Sequence, residues 1–291
     1  MQQKRKMREI GVMLGIFWGS LLLSGCATVQ QVIRTLQPKL ELKNVRVTGI
    51  TFDALKLAVD VGIRNPNPVG LNMLGFDYEL KLNDTPFLKD QTAKAMTIAA
   101  LGDSDLEIPV TINYKNVYET FKALLTQDTA TYQLGCGVSF NLPGLGETRF
   151  PLSTQGDLPL VKLPDIAVQQ LKIKQLSLTG AKLELELRLK NANAFALLPQ
   201  SLEYELLING QPWASGLGVN LAQVTAKGEA AITLPLTLDF NQIGQTVTRA
   251  FASREPLNYR LRGKLGVGSA LPLFDNVTIP LDGAGVIDIS R

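Results

Sequence analysis

The chain has 291 residues, 45% of them hydrophobic and 19% charged, a balance that supports buried cores and excludes a disordered polymer. Basic residues exceed acidic ones by only three, 29 against 26, and no Lys/Arg cluster interleaved with aromatics occurs, so nucleic acid is not an expected partner. The chain contains no His, which removes Ser-His and Cys-His nucleophile pairs and the commonest metal ligand; it is expected to be non-enzymatic and to need no cofactor or metal.

Residues 1–25 read as an export signal. Lys4, Arg5, Lys6 and Arg8 precede an apolar run from Ile10 to Trp18 and then Leu21 and Leu22. That run falls short of the ~20 residues a permanent membrane-spanning helix needs. The segment ends in Leu23-Ser24-Gly25-Cys26, which resembles the lipobox of bacterial lipoproteins, where signal peptidase II cleaves before a Cys already carrying diacylglycerol. The resemblance implies that Cys26 is the lipid-bearing first residue of the mature chain and that the membrane is a partner through that lipid. Ala27, in place of Asp, resembles the outer-membrane sorting signal of enterobacterial lipoproteins, which implies the periplasmic face of the outer membrane, with the inner membrane as the alternative. Cleavage removes four basic residues and Glu9, the whole +3, so the mature chain is formally neutral.

Beyond a tether over 26–41, the sequence repeats itself. Asn65-Pro66-Asn67-Pro68 returns as Asn191-Ala192-Asn193-Ala194, an offset of 126. Tyr78-Glu79-Leu80 matches Tyr204-Glu205-Leu206, Pro86-Phe87 matches Pro212-Trp213, and Ile108-Pro109-Val110 matches Leu234-Pro235-Leu236. Two homologous domains are expected, over 42–160 and 171–291, joined by a linker over 161–170.

The hydrophobic period within each copy is two. Leu55, Leu57, Val59, Val61 and Ile63 alternate with Lys56, Asp60 and Arg64, and Leu183, Leu185, Leu187 and Leu189 alternate with Glu184, Glu186, Arg188 and Lys190. Turn signals at Asn83-Asp84 and Asn209-Gly210 separate such runs. The fold class is therefore mainly β: two tandem Ig-like or fibronectin-like antiparallel β-sandwiches. One segment per copy changes period, with Val117, Phe121, Leu124 and Leu125 repeated by Ile243, Val247, Ala250 and Phe251; each copy should carry one amphipathic helix that closes an end of its core.

Few side chains suggest chemistry. Asp103, Asp105 and Glu107 alternate on one strand face and read as its solvated side, because the second copy has Glu229, Ala231 and Thr233 there. Cys136 shares a face with Tyr132, Leu134, Val138 and Phe140 and reads as a core thiol. Gly263 to Gly268 lacks phosphate-loop spacing and reads as a glycine-permitted bend or bulge in a strand. Asn65-Pro66-Asn67-Pro68 should form a stiff strand exit, with Asn side chains bonding backbone groups two residues on and each Pro keeping the preceding Asn extended.

An Asn-Pro-Asn after an alternating apolar strand, followed by a Tyr-containing strand, resembles the water-stress and hypersensitive-response (WHy) domain of the late embryogenesis abundant group 2 family. Here those features are Leu55 to Arg64, Asn65-Pro66-Asn67, and Phe76 to Leu82. The second copy keeps Asn191 and Asn193 but has Ala192 and Ala194 for the prolines, which weakens any binding role for its turn. The resemblance implies a folded β-sandwich and a part in desiccation or general stress protection through client proteins or membrane surfaces. A lipid-binding or lipid-transfer protein, or a scaffold of an envelope complex, are the alternatives.

Overall fold

A computed structural model describes residues 37–218, 221–240, 256–274, 276–287 and 289–290. Leu23, Ser24, Gly25 and Cys26 lie outside the described residues, as does the second amphipathic segment from Ile243 to Phe251. Among the described residues, no helix is long and apolar enough to cross a membrane.

The first copy runs β1 (Lys39–Ile50), β2 (Ala54–Arg64), β3 (Leu71–Leu82), β4 (Thr85–Ile98), β5 (Asp103–Asn113), α1 (Tyr114–Thr120), a 3-10 turn (Lys122–Thr126), β6 (Thr129–Leu142) and β7 (Gly146–Pro159). The second runs β8 (Asp165–Leu176), β9 (Gly180–Lys190), β10 (Leu197–Ile208), β11 (Gln211–Gly218), β12 (Glu229–Asp239), β13 (Leu257–Ser269), β14 (Val277–Ile287) and β15 (Ile289–Ser290). Sheet order repeats with the sequence: β1-β2-β5 and β4-β3-β6-β7 in the first copy, β12-β9-β8-β15 and β11-β10-β13-β14 in the second. By packing of the Cα trace, one compact unit holds Ala58–Pro109 and Tyr132–Gly156 with the chain through Val45. The other holds Arg46–Leu57, Val110–Thr131 and the chain from Asp157 on.

The period-two pattern maps onto burial as expected. Leu55, Leu57, Val59, Val61 and Ile63 are buried in β2, and Leu183, Leu185, Leu187 and Leu189 in β9. Both hairpin signals also hold. Asn83 and Asp84 have φ of 46° and 64°, and Asn209 and Gly210 have 48° and 80°, the left-handed pair that a two-residue turn between twisted strands requires. Leu82 accordingly faces Thr85, and Ile208 faces Gln211.

Two boundaries differ from expectation. β1 starts at Lys39, inside the expected tether, and β8 starts at Asp165, inside the expected linker, so the join is shorter. The amphipathic helix of the first copy is broken: α1 ends at Thr120, Phe121 leaves the helical region (φ −122°, ψ 75°), and a 3-10 turn follows. Val117 and Leu124 are buried, whereas Leu125 is exposed, because the break rotates it off the stripe. Tyr114 and Tyr118, which the sequence reading did not select, anchor the segment. Their rings stack 6.2 Å apart, and their hydroxyls donate to the carbonyls of Pro159 (2.8 Å) and Val161 (3.0 Å).

Registers refine the internal offset. Tyr78 faces Cys136 while Tyr204 faces Gly263, so beyond the helix the copies are related by 263 − 136 = 127 positions. The Gly263 segment continues the strand without a break in register. The irregularity sits in β10, between Pro199 and Ser201, opposite Val267 and Gly266. Gly263 itself is required by close approach, since a Cβ there would lie 2.0 Å from the Glu203 carbonyl oxygen.

Candidate functional site

The Asn motif is buried tertiary structure in both copies. Asn65, Asn67, Asn191 and Asn193 are four of the five buried polar or charged residues among those described. As the sequence implies, the Asn65 Oδ1 accepts from the Asn67 backbone N–H (2.9 Å), an Asx-turn, and the Asn67 Nδ2 donates to the same oxygen (2.9 Å). The longer reach was not legible: Asn65 Nδ2 donates to the carbonyls of Val69 and Ala99, each at 2.9 Å, tying the exit of β2 to the end of β4. Asn65 N–H and Leu101 N–H complete the clamp by donating to Gly102 O (2.9 Å) and Asn67 O (2.8 Å).

The second copy repeats this bond for bond. Asn191 Nδ2 donates to Phe195 O (2.7 Å) and Thr225 O (3.0 Å), and Asn191 Oδ1 accepts from Asn193 N–H (2.9 Å) and Asn193 Nδ2 (3.0 Å). Asn191 N–H and Lys227 N–H donate to Gly228 O (2.8 Å) and Asn193 O (3.0 Å). Replacement of both prolines by Ala192 and Ala194 therefore leaves the geometry of the clamp unchanged. Here Asn193 also exchanges two bonds with the backbone of buried Lys162, giving from Nδ2 to its carbonyl (2.8 Å) and taking from its N–H (2.7 Å).

Each clamp holds a non-glycine residue in the left-handed region, Leu101 (φ 52°) and Lys227 (φ 55°). For an L-residue that conformation costs on the order of 1–2 kcal/mol. It persists because the N–H bonds to Asn67 and Asn193 depend on it. The sequence carried a usable signal for this, a Gly directly after each of these residues at the common offset, Gly102 and Gly228.

The remaining candidates resolve simply. Asp105 pairs with Lys43 (2.5 Å) and Asp103 with Arg64 (3.9 Å), all of them exposed, so this face is a cross-strand ion-pair ladder. Cys136 is buried, and burial first, then the Asp77 charge, pushes its thiol up to about 11, with Arg149 opposing; that is an unreactive core thiol. Arg149 grips Asp77 through two bonds of 2.7 and 2.6 Å, which hold the Asp77 carboxyl below its ordinary range. The guanidinium lies across Gly137, where a Cβ would meet it at 2.1 Å.

Two of the hollows among the described residues bear on the question. One, of about 510 Å³, is open and lined by Glu79, Lys81, Gln133, Leu134 and Thr154. The other, of about 240 Å³, has Ile166 and Val168 of β8 facing Leu261, Ile279 and Leu281 of β13 and β14, with Tyr259 and Asp282 also at its wall. Among the described residues no three His, Cys, Asp or Glu side chains are grouped to hold a metal.

The profile of a family described as late embryogenesis abundant protein matches residues 60–156 and 186–285, two segments that begin at the internal offset. The chain is similar to the desiccation-related protein At2g46140 of Arabidopsis thaliana, 26% identical over 128 residues, covering 44% of this chain and 77% of that protein. It is 20% identical over 138 residues to late embryogenesis abundant protein Lea14-A of Gossypium hirsutum, covering 47% of this chain and 91% of that one. The solution structure of a putative late embryogenesis abundant (LEA) protein, At2g46140.1, aligns with 50% of this chain and 86% of its own at 22% identity, with a TM-score of 0.37.

Proposed function

The chain belongs to the late embryogenesis abundant family, with two tandem copies of its domain, and on that premise we propose that it is a non-enzymatic stress-protection protein held at a membrane of the cell envelope by lipid on Cys26. The observation that carries this reading is the family match over both copies, together with relatives named for desiccation. The physics is surface shielding: folded, weakly interacting sandwiches keep partly dried client proteins apart near the membrane. Membrane placement rests on the lipobox, and the outer membrane's periplasmic face on Ala27.

The test is to dry and rehydrate a labile enzyme with the chain from Ala27 onward. Recovered activity should exceed that given by an equal mass of albumin, and recovery no better than albumin would sink the protective role.

The aliphatic side chains of Ile166, Val168, Leu261, Ile279 and Leu281 in the hollow between β8 and β14 favour a second reading, lipid binding. Its volume of about 240 Å³ lies below the roughly 300–1,000 Å³ usual for small-molecule pockets, which suits one short stretch of an acyl chain. Native mass spectrometry of chain purified from membranes should then show one bound lipid besides the N-terminal acyl groups, and its loss on Val168→Asp. A bare spectrum would remove this alternative.

A further inference from the structure

Inside the compact unit that contains Arg46–Leu57, Val110–Thr131 and the chain from Asp157, one end of the first copy meets the Asn-clamp end of the second. Ile50 N–H donates to Leu273 O at 3.0 Å. The Phe52 ring stands edge-on to Phe274 at 5.1 Å, and Phe195 covers Phe274 from 5.8 Å. Asp128 adds ion pairs with Lys227 and with Lys162, the latter at 3.3 Å. Ile50 and Phe52 are consequently only 3% and 4% exposed.

The contact is head-to-tail: it joins two different surfaces of the repeated domain, a tail carrying Ile50 and Phe52 and a head carrying Phe195 and the β13–β14 hairpin tip. Among the described residues, the tail of the second copy and the head of the first are left exposed. The tail of the second copy follows from its turn, because Ser177 N–H bonds Gly180 O (2.9 Å) as Thr51 N–H bonds Ala54 O (2.9 Å). Leu176 and Leu178 thus occupy the places of Ile50 and Phe52, yet they are 49% and 100% exposed. At the head of the first copy, Val69 stands where Phe195 does and Leu101 where Lys227 does. Asn72 pairs with Asn141, which sets the hairpin tip bearing Leu145 at the same end. Val69, Leu101 and Leu145 are all exposed. Solvent-exposed leucines and valines normally scatter singly. Here Leu176 and Leu178 take the places of the buried Ile50 and Phe52, and Val69 and Leu101 take the places of Phe195 and Lys227, which belong to the contact.

We propose that a second copy of this chain docks its Leu176 and Leu178 onto the Val69, Leu101 and Leu145 end of the first, repeating between molecules the head-to-tail contact made within one. A heterologous contact of this kind joins two different surfaces head to tail, and it builds a ring or an open row according to whether the rotation between molecules closes. The ion pair of Lys227 has no counterpart at Leu101, which leaves the contact apolar and weak in isolation, and strengthened where molecules are concentrated on one surface. The proposal stands whether or not the protective function is correct.

Leu101→Cys and Leu178→Cys placed together in the full chain should, on mild oxidation of the cells that produce it, give a ladder of crosslinked species from the dimer upward, whichever fraction the chain is in. Adding Val69→Asp and Leu176→Asp to that variant should cause a several-fold loss of the ladder while leaving the circular dichroism melt unchanged, since both positions are exposed. A Leu178→Cys and Leu217→Cys pair, equally exposed but off the head surface, is the control. A ladder no stronger than the control's, or one untouched by the two Asp substitutions, would overturn the proposal.

Discussion

Asn65→Ala is expected to destabilise the first sandwich by about 2–4 kcal/mol, enough to lower its melting temperature by roughly 10 °C. The substitution strips several groups at once: the part-buried carbonyls of Val69 and Ala99 lose a donor, and the buried Asn67 N–H and Nδ2 lose the Asn65 oxygen as acceptor. Each buried orphan costs about 1–3 kcal/mol, partly relieved by relaxation. Asn65→Asp keeps the shape but turns an acceptor-only carboxylate toward two carbonyl oxygens, so it should be at least as damaging. Pro66→Ala provides the contrast. The second copy holds the same clamp with Ala192, so loss of this proline should cost no more than the ~0.4–1 kcal/mol of unfolded-state entropy it removes. Thermal melts of the three variants decide the matter, and an Asn65→Ala chain no less stable than Pro66→Ala would show that the clamp is ornamental.

Cys26→Ala should leave both sandwiches folded and abolish membrane retention. The argument is one of elimination by magnitude. The chain from Ala27 onward is formally neutral, so electrostatic adsorption to an anionic surface offers little, and what it does offer is screened by salt. Acyl chains contribute ~0.8 kcal/mol per buried methylene, and two or more make an anchor stable. The wild-type chain should therefore stay with membranes through a high-salt wash, and the variant should appear in the soluble fraction with an unchanged dichroism spectrum. A Cys26→Ala chain that still sediments with washed membranes would refute the anchor.

The parts of the fold that the sequence disclosed are those governed by local periodicity. Alternation in β2 and β9 locates their buried faces, and Asn209-Gly210 fixes a hairpin because the left-handed pair it requires is a property of those two residues. The Asn motif was half legible for the same reason. The Asn65 to Asn67 bond spans two residues, whereas the bond to Ala99 spans 34 and depends on where β4 ends. The break at Phe121 escaped because an apolar stripe at helical spacing does not record whether the backbone continues; that is decided by tyrosine hydroxyls reaching Pro159 and Val161. The exposed ends were invisible as a set. Leu176, Leu178, Val69, Leu101 and Leu145 are unremarkable leucines and a valine until the structure shows that Ile50 and Phe52, the counterparts of Leu176 and Leu178, are buried in a contact.

The clamp has a consequence for how such domains are detected. A search keyed on Asn-Pro-Asn passes over the second copy, although its hydrogen bonds reproduce the first. What both copies share is an asparagine pair two positions apart and, 34 residues beyond the second asparagine, a left-handed residue followed by glycine, Leu101-Gly102 in one and Lys227-Gly228 in the other. A pattern built on that spacing reads the geometry rather than the prolines, and it would recover diverged copies in which the turn has lost its name-giving residue.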